Sequence, residues 1–245
     1  MKRILIGLVL TGLFSSLCVK AESLDQVGDN VFEQKVLEII MKHPDVIEKS
    51  MTLYVEKKRK DQEAQKLTEA LNNHYEVDYG KSPSQGKKKA KYQLVVFTDF
   101  ECPYCKRGEE TVQALKEKYG DDLFIVQKNY PLPFHKQARP AAKAALAAHQ
   151  QEKFFEYSAK LFENQKNLGD DLYIKLAEDL KLNLDKFKKD MNSQEIKDLL
   201  KADIETAAKV EVGSTPNFIL NGVKIAGAYP VEYFDKIIKM LETKK

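Results

Sequence analysis

Tyr92-Gln93-Leu94-Val95-Val96-Phe97-Thr98-Asp99-Phe100-Glu101-Cys102-Pro103-Tyr104-Cys105-Lys106-Arg107 is the stretch on which the fold turns. Residues 92–98 are rich in Leu, Val and Phe and have the length of a buried strand. Pro103 follows Cys102 and suits the first position of a helix, where a missing N–H costs nothing. From Pro103 to Tyr119 the pattern is helical with Val112 and Leu115 inward, Gly120 ends it, and Leu123 to Lys128 gives a second strand. The result is a strand-helix-strand unit of α/β type, with a cysteine pair at the start of its helix.

A thiol in that position has a chemical use. Unpaired backbone N–H groups and the helix dipole stabilise its thiolate, and the thiolate is the nucleophile in disulfide exchange. Lys106 and Arg107 would assist if turned toward the sulfur, whereas Glu101 opposes. As a staple the pair is poor, because disulfide stabilisation grows with the length of the loop closed and Cys102 and Cys105 close a very short one. A structural zinc needs four ligands; there is no second cysteine pair, and His43, His74, His135 and His149 lack ligand spacing, so no metal is expected.

Beyond the unit, residues from about 137 to 209 are helical in pattern, with an aromatic stretch around Phe154, Phe155 and Phe162 and caps at Asn183 and Ser193. Strands return at Asn217–Leu220 and Val223–Ala226 around Asn221-Gly222, a strong hairpin signal. Pro230 opens a last amphipathic helix. Upstream, Phe32, Val36, Ile39 and Ile40 recur at helical spacing, His43-Pro44 ends that helix, and Ile47, Met51 and Tyr54 continue an apolar stripe. Glu56 to Gln65 carries four basic and three acidic residues, a helix polar all round. Gly80 to Lys91 has two glycines and five lysines with no acid, and reads as a flexible linker.

The chain has 245 residues, 43% hydrophobic and 31% charged, enough for a real core. Basic and acidic residues number 40 and 37, so no global positive field argues for nucleic acid. Met1-Lys2-Arg3, the apolar run Ile4–Leu17 and Val19-Lys20-Ala21 read as a cleaved secretory signal over residues 1–21. Its removal takes Lys2, Arg3 and Lys20 with no acid, leaving 37 of each sign, and takes Cys18. Lipid attachment at Cys18 is the alternative if cleavage does not follow Ala21. A retained pair without any spare thiol, in an oxidising compartment, points to chemistry.

Residues 97–107 resemble the active-site stretch of DsbA-like proteins of the thioredoxin superfamily. Tyr130-Pro131-Leu132-Pro133-Phe134-His135 is similar to the segment after their second strand. Val212-Gly213-Ser214-Thr215-Pro216-Asn217-Phe218-Ile219-Leu220-Asn221-Gly222, followed by Gly227-Ala228, resembles their substrate-binding loop and closing hairpin, although Ser214 stands where those proteins usually have glycine. The resemblance implies an α/β thioredoxin fold over 92–245 with a helical insertion at about 137–209. It implies catalysis by Cys102 and Cys105 around the Pro103-Tyr104 dipeptide, a cis Thr215-Pro216 bond that binds substrate, and Asp99 and Glu101 as modulators of the thiols. His135 matches as well, and reads as a turn residue. No cofactor is implied beyond the Cys102-Cys105 disulfide.

Residues 22–79 form an N-terminal α-helical arm, 80–91 the lysine-rich linker. His43-Pro44-Asp45-Val46-Ile47 resembles the N-terminal segment of suppressor-of-copper-sensitivity and outer-membrane-antigen-type DsbA relatives, which implies a homo-oligomer. The expected protein is a periplasmic, envelope-located thiol-disulfide oxidoreductase that oxidises or isomerises disulfides in cysteine-containing secreted proteins. Its recycling partner would be a membrane protein similar to DsbB or DsbD. The alternative is a non-catalytic oligomeric envelope protein with a structural or vestigial cysteine pair.

Overall fold

The computed structural model describes residues 29–243. The leader expected at 1–21, with Cys18, lies outside the described residues. The chain divides into two compact units between Asp61 and Gln62.

In the first unit, α1 (Asp29–Lys42) carries Phe32, Val36, Ile39 and Ile40 as predicted by their spacing. It closes where the His43 N–H reaches the carbonyls of Ile39 and Ile40, and Pro44, which cannot continue the ladder, starts α2 (Pro44–Asn72). Val36, Ile39, Ile40, Ile47, Met51 and Tyr54 are exposed, so the described residues of this unit carry apolar side chains without a core of their own.

The second unit is built on a sheet of order β1-β3-β2-β4-β5. Strand β2 (Tyr92–Thr98) runs parallel to β3 (Leu123–Asn129), joined by α3 (Pro103–Tyr119). Strand β2 also pairs antiparallel with β4 (Asn217–Leu220), which turns back into β5 (Val223–Ala226). Alternation along β2 sorts the layers. Leu94 and Val96 face a core with Val112 and Leu115 of α3 and Phe234 and Ile237 of α9 (Val231–Thr243). Val95 and Phe97 face the other core, with Phe124, Val126 and Ile219. At the hairpin, Asn221 and Gly222 both have positive φ, 45° and 85°, which the Asn-Gly pair tolerates. A Cβ on Gly222 would also stand 2.1 Å from the His74 ring.

Five helices, α4 (Ala138–His149), α5 (Phe154–Glu163), α6 (Asp170–Asp179), α7 (Leu184–Met191) and α8 (Gln194–Lys209), form the insert between β3 and β4. The expected caps are present: Asn183 Oδ1 accepts from Lys186 N and Ser193 Oγ from Ile196 N. Phe154 and Phe162 are buried in the insert core, which extends to Phe100, Cys102 and Cys105.

Residues 80–91, expected as a linker, belong instead to the second unit. Ser84–Gln85 form β1, antiparallel to β3 with Ser84 opposite Val126. Just before it, the buried Lys128 Nζ donates to Ser82 Oγ at 2.8 Å and to Asp203 Oδ1 and the Tyr79 carbonyl at 3.3 Å. Two linker lysines are also paired, Lys87 with Asp121 and Lys91 with Glu242. The lysine-rich composition conceals this because acids elsewhere in the fold meet those lysines.

Candidate active site

Cys102 is the N-cap of α3, in extended conformation with Pro103 at the first helical position. Its N–H donates to the Asp99 carbonyl at 3.1 Å, and its own carbonyl accepts the Cys105 N–H at 3.0 Å. Cys105, one turn into α3, is 1% exposed and Cys102 5%, and both are free cysteines. The Cys102 sulfur lies 3.5 Å from the Thr215 carbonyl oxygen, and the Asp99 N–H points at the Cys105 sulfur from 3.4 Å.

The Thr215-Pro216 bond is cis, as the resemblance implied. Gly108 lets α3 approach it closely: a Cβ there would stand 3.2 Å from the Pro216 ring and the Phe218 ring. Neither Gly213 nor Ser214 has a positive φ, so serine costs no backbone strain at the position where glycine was expected.

The two thiols are driven apart electrostatically. Hydrogen bonding from the Cys105 thiol is the main cause that lowers Cys102 to about 5, against the opposing effect of burial, with help from Thr215 and the N–H groups of Cys105 and Tyr104. Burial, followed by the hydrogen bond to Cys102, pushes Cys105 far up. Cys102 is thus a thiolate at neutral pH and Cys105 keeps its proton. The buried Thr215 hydroxyl makes no well-aligned hydrogen bond to any atom, so its help to Cys102 is a loose one.

The expected modulators have other partners. Glu101 Oε2 accepts the Gln137 N–H at 2.6 Å, at the start of α4. Asp99 is buried; Oδ1 accepts the Glu101 N–H, and Oδ2 meets the Leu132 N–H and His135 Nδ1, each of the three contacts at 2.8 Å. These carboxylates hold the loops around the thiols. Arg107 stands over the Tyr104 ring, 5.7 Å from its centroid. Tyr104 itself is exposed beside the cysteines, as is Phe134. Among the described residues no group of three or more His, Cys, Asp or Glu is placed to hold a metal ion.

The sequence profile of the family described as Thioredoxin matches residues 78–240. The chain belongs to this thioredoxin family. Curated relatives include the Na(+)/H(+) antiporter NhaA 1 of Mycobacterium sp. (strain KMS), 32% identical over 157 residues, covering 62% of this chain and 25% of that protein. This thioredoxin-family chain thus spans about a quarter of the length of the curated relatives it matches. No helix among the described residues is long and apolar enough to cross a membrane. Among solved structures, the thiol-disulfide exchange protein alpha-DsbA2 from Wolbachia pipientis is similar with a TM-score of 0.61 at 19% identity, covering 75% of this chain and 97% of that one. ScsC from Proteus mirabilis, in a transitional conformation, is similar with a TM-score of 0.56 at 24% identity, covering 88% and 97%.

Within this thioredoxin-family site, sequence reasoning missed two residues. Gly108 lies in a helix where glycine is unfavourable, a signal that a neighbour comes close. Gln165, in a 3-10 turn at Gln165–Asn167, donates to the carbonyls of Phe100 and Cys102, and nothing local marks it.

Proposed function

We propose that this protein is an exported, periplasmic thiol-disulfide oxidoreductase that oxidises cysteine-containing secreted proteins. The observation that carries the reading is the Cys102 sulfur at the start of α3, opposite the Thr215 carbonyl, with Cys105 buried behind it.

Oxidation starts from the Cys102-Cys105 disulfide. A client thiolate attacks the Cys102 sulfur, the S–S bond breaks, and Cys105 leaves and takes up a proton. The second client thiolate then attacks the client sulfur of the mixed disulfide, and Cys102 departs as a thiolate. One client disulfide forms, one enzyme disulfide is reduced, and two electrons pass to the cysteine pair. A low-pKa Cys102 is a good leaving group and stabilises the reduced product, which makes the disulfide an oxidant. In isomerisation the Cys102 thiolate attacks a client disulfide and another client thiolate then attacks the client sulfur of the mixed disulfide, releasing Cys102; where the client does not do so, Cys105 resolves the intermediate and the client leaves reduced. The Thr215 backbone carbonyl beside Cys102 suits pairing with an extended client chain. Reoxidation requires a second protein, for which a membrane partner similar to DsbB or DsbD is the proposal.

The exposed apolar residues of α1 and of α2 up to Tyr54 support a homo-oligomer formed through the N-terminal helices.

Oxidised protein mixed with a reduced, unfolded client whose activity requires its disulfides tests the reading. The client should recover activity and Cys102→Ala should abolish recovery, while reduced Cys105→Ala, given instead a client with scrambled disulfides, should accumulate the mixed disulfide at Cys102. Equal recovery with Cys102→Ala would return the protein to a non-catalytic role.

A further inference from the structure

The helical insert grips the active-site turn at three points. The Phe100 and Phe162 rings meet with centroids 5.0 Å apart, Glu101 accepts the Gln137 N–H, and one amide of Gln165 bonds to two carbonyl oxygens, those of Phe100 and Cys102, each at 2.8 Å. The first two contacts engage side chains beside the cysteines. The third holds the main chain of Cys102 itself.

We propose that Gln165 is a positioning residue that tunes the reactivity of Cys102 by holding its carbonyl, so that the helical insert forms part of the redox site. The inference rests on the oxidoreductase reading above and adds a residue to it.

The Cys102 carbonyl already accepts the Cys105 N–H, which closes the first turn of α3. Stabilisation of the thiolate uses the N–H groups of Tyr104 and Cys105, so the peptide planes of that turn must keep their tilt. The Gln165 fork fixes the tilt from outside the helix: one NH₂ group bonded to carbonyls two residues apart sets the angle at which the chain enters α3. It also turns the positive end of an amide dipole toward an oxygen whose negative charge lies on the same residue as the thiolate. In a partly buried site such bonds are stronger than in water. Gln165 follows α5 almost directly, and Leu161 and Phe162 of α5 are buried in the insert core, so the packing of the insert fixes where the amide stands.

Two substitutions separate tuning from packing. Gln165→Met keeps the side-chain length and removes both donors; Gln165→Glu keeps the shape and sets a carboxylate against two carbonyl oxygens. Each variant and the unmodified protein are equilibrated with glutathione buffers, and the reduced forms are titrated by ultraviolet thiolate absorbance. The expected result is a weaker oxidant with a Cys102 midpoint displaced to higher pH, by about threefold in the exchange constant for Gln165→Met and about tenfold, equal to about 30 mV, for Gln165→Glu. Gln165 is only part-buried, so both variants should fold; if Gln165→Glu does not, Gln165→Met carries the same test. An unmodified protein that equilibrates, beside variants with the same midpoint and exchange constant, overturns the inference even if their melting temperatures fall. An unmodified protein that does not equilibrate removes the oxidoreductase reading, and this inference with it.

Discussion

Asp99 Oδ2 lies 2.8 Å from His135 Nδ1, which ties the end of β2 to the loop after β3 directly beside the cysteine turn. The same carboxylate accepts the backbone N–H groups of Glu101 and Leu132. Asp99→Ala leaves these donors without a partner in a buried site, where each costs about 1–3 kcal/mol. Denaturant unfolding should show a loss of about 2–4 kcal/mol, while Asp99→Asn, which retains an acceptor oxygen, loses less than half of that. Equal losses in both variants would mean that the charge matters more than the acceptors.

The depressed thiol pKa of Cys102 makes the reduced protein pH-sensitive. A group whose folded pKa is lowered stabilises the fold above its unfolded pKa, near 9, and loses that contribution as pH falls through about 5. Between those limits the unfolded thiol binds a proton that the folded thiolate does not. Stability of the reduced form relative to the oxidised form should therefore rise with pH, by at most about 1.4 kcal/mol per pH unit. Urea unfolding of both forms from pH 5 to 8 reads this directly, and a flat difference would place the Cys102 pKa at an ordinary value.

The buried pair of Lys128 and Asp203 secures the segment that leads into β1. Lys128 reaches Ser82 and Tyr79, and Asp203 Oδ2 accepts the Asn129 N–H at 2.9 Å. Removing one partner leaves an uncompensated buried charge, so Asp203→Ala should cost about 3–5 kcal/mol. Lys128→Met combined with Asp203→Leu should recover part of it, since apolar replacement of a whole buried pair is often tolerated. Amide hydrogen exchange at Ser84 and Gln85 should speed up in Asp203→Ala. Unchanged protection there would show that β1 holds by its pairing with β3 alone.

These cases mark where the sequence was readable. Apolar runs, capping residues and the Asn221-Gly222 turn act through neighbours in the chain, so β2, β3, the caps of α7 and α8 and the closing hairpin were all legible. The place of the cysteine pair at the start of a helix was legible too, because Pro103 marks that start. β1 was not: two residues in a lysine-rich run carry no periodicity, and their partners lie some 40 positions away in β3. For Asp99 the residue was visible but its role was not, since that depends on Leu132 and His135 folding back onto it. Gln165 contacts residues more than 60 positions distant, with no pattern around it.

The N-terminal unit gives the last test. Ile39 and Ile47 stand on either side of the α1–α2 junction at Pro44, exposed in a unit whose described residues form no core. Several large apolar side chains left to water on two helices form a surface that a second copy of the same helices can bury. Light scattering of the unmodified protein should report a multimer, and Ile39→Asp with Ile47→Asp should reduce it to a monomer, because a charge at such a contact carries a desolvation cost. A version beginning at Gln62 should also be monomeric, whereas one beginning at Lys91 would lack β1 and confound assembly with unfolding. Cys102 and Cys105 lie in the other unit, so exchange with glutathione should be unaltered in the double variant even where client isomerisation, which benefits from several sites around one chain, is reduced. A monomeric unmodified protein would dispose of the oligomer and leave the oxidase chemistry standing.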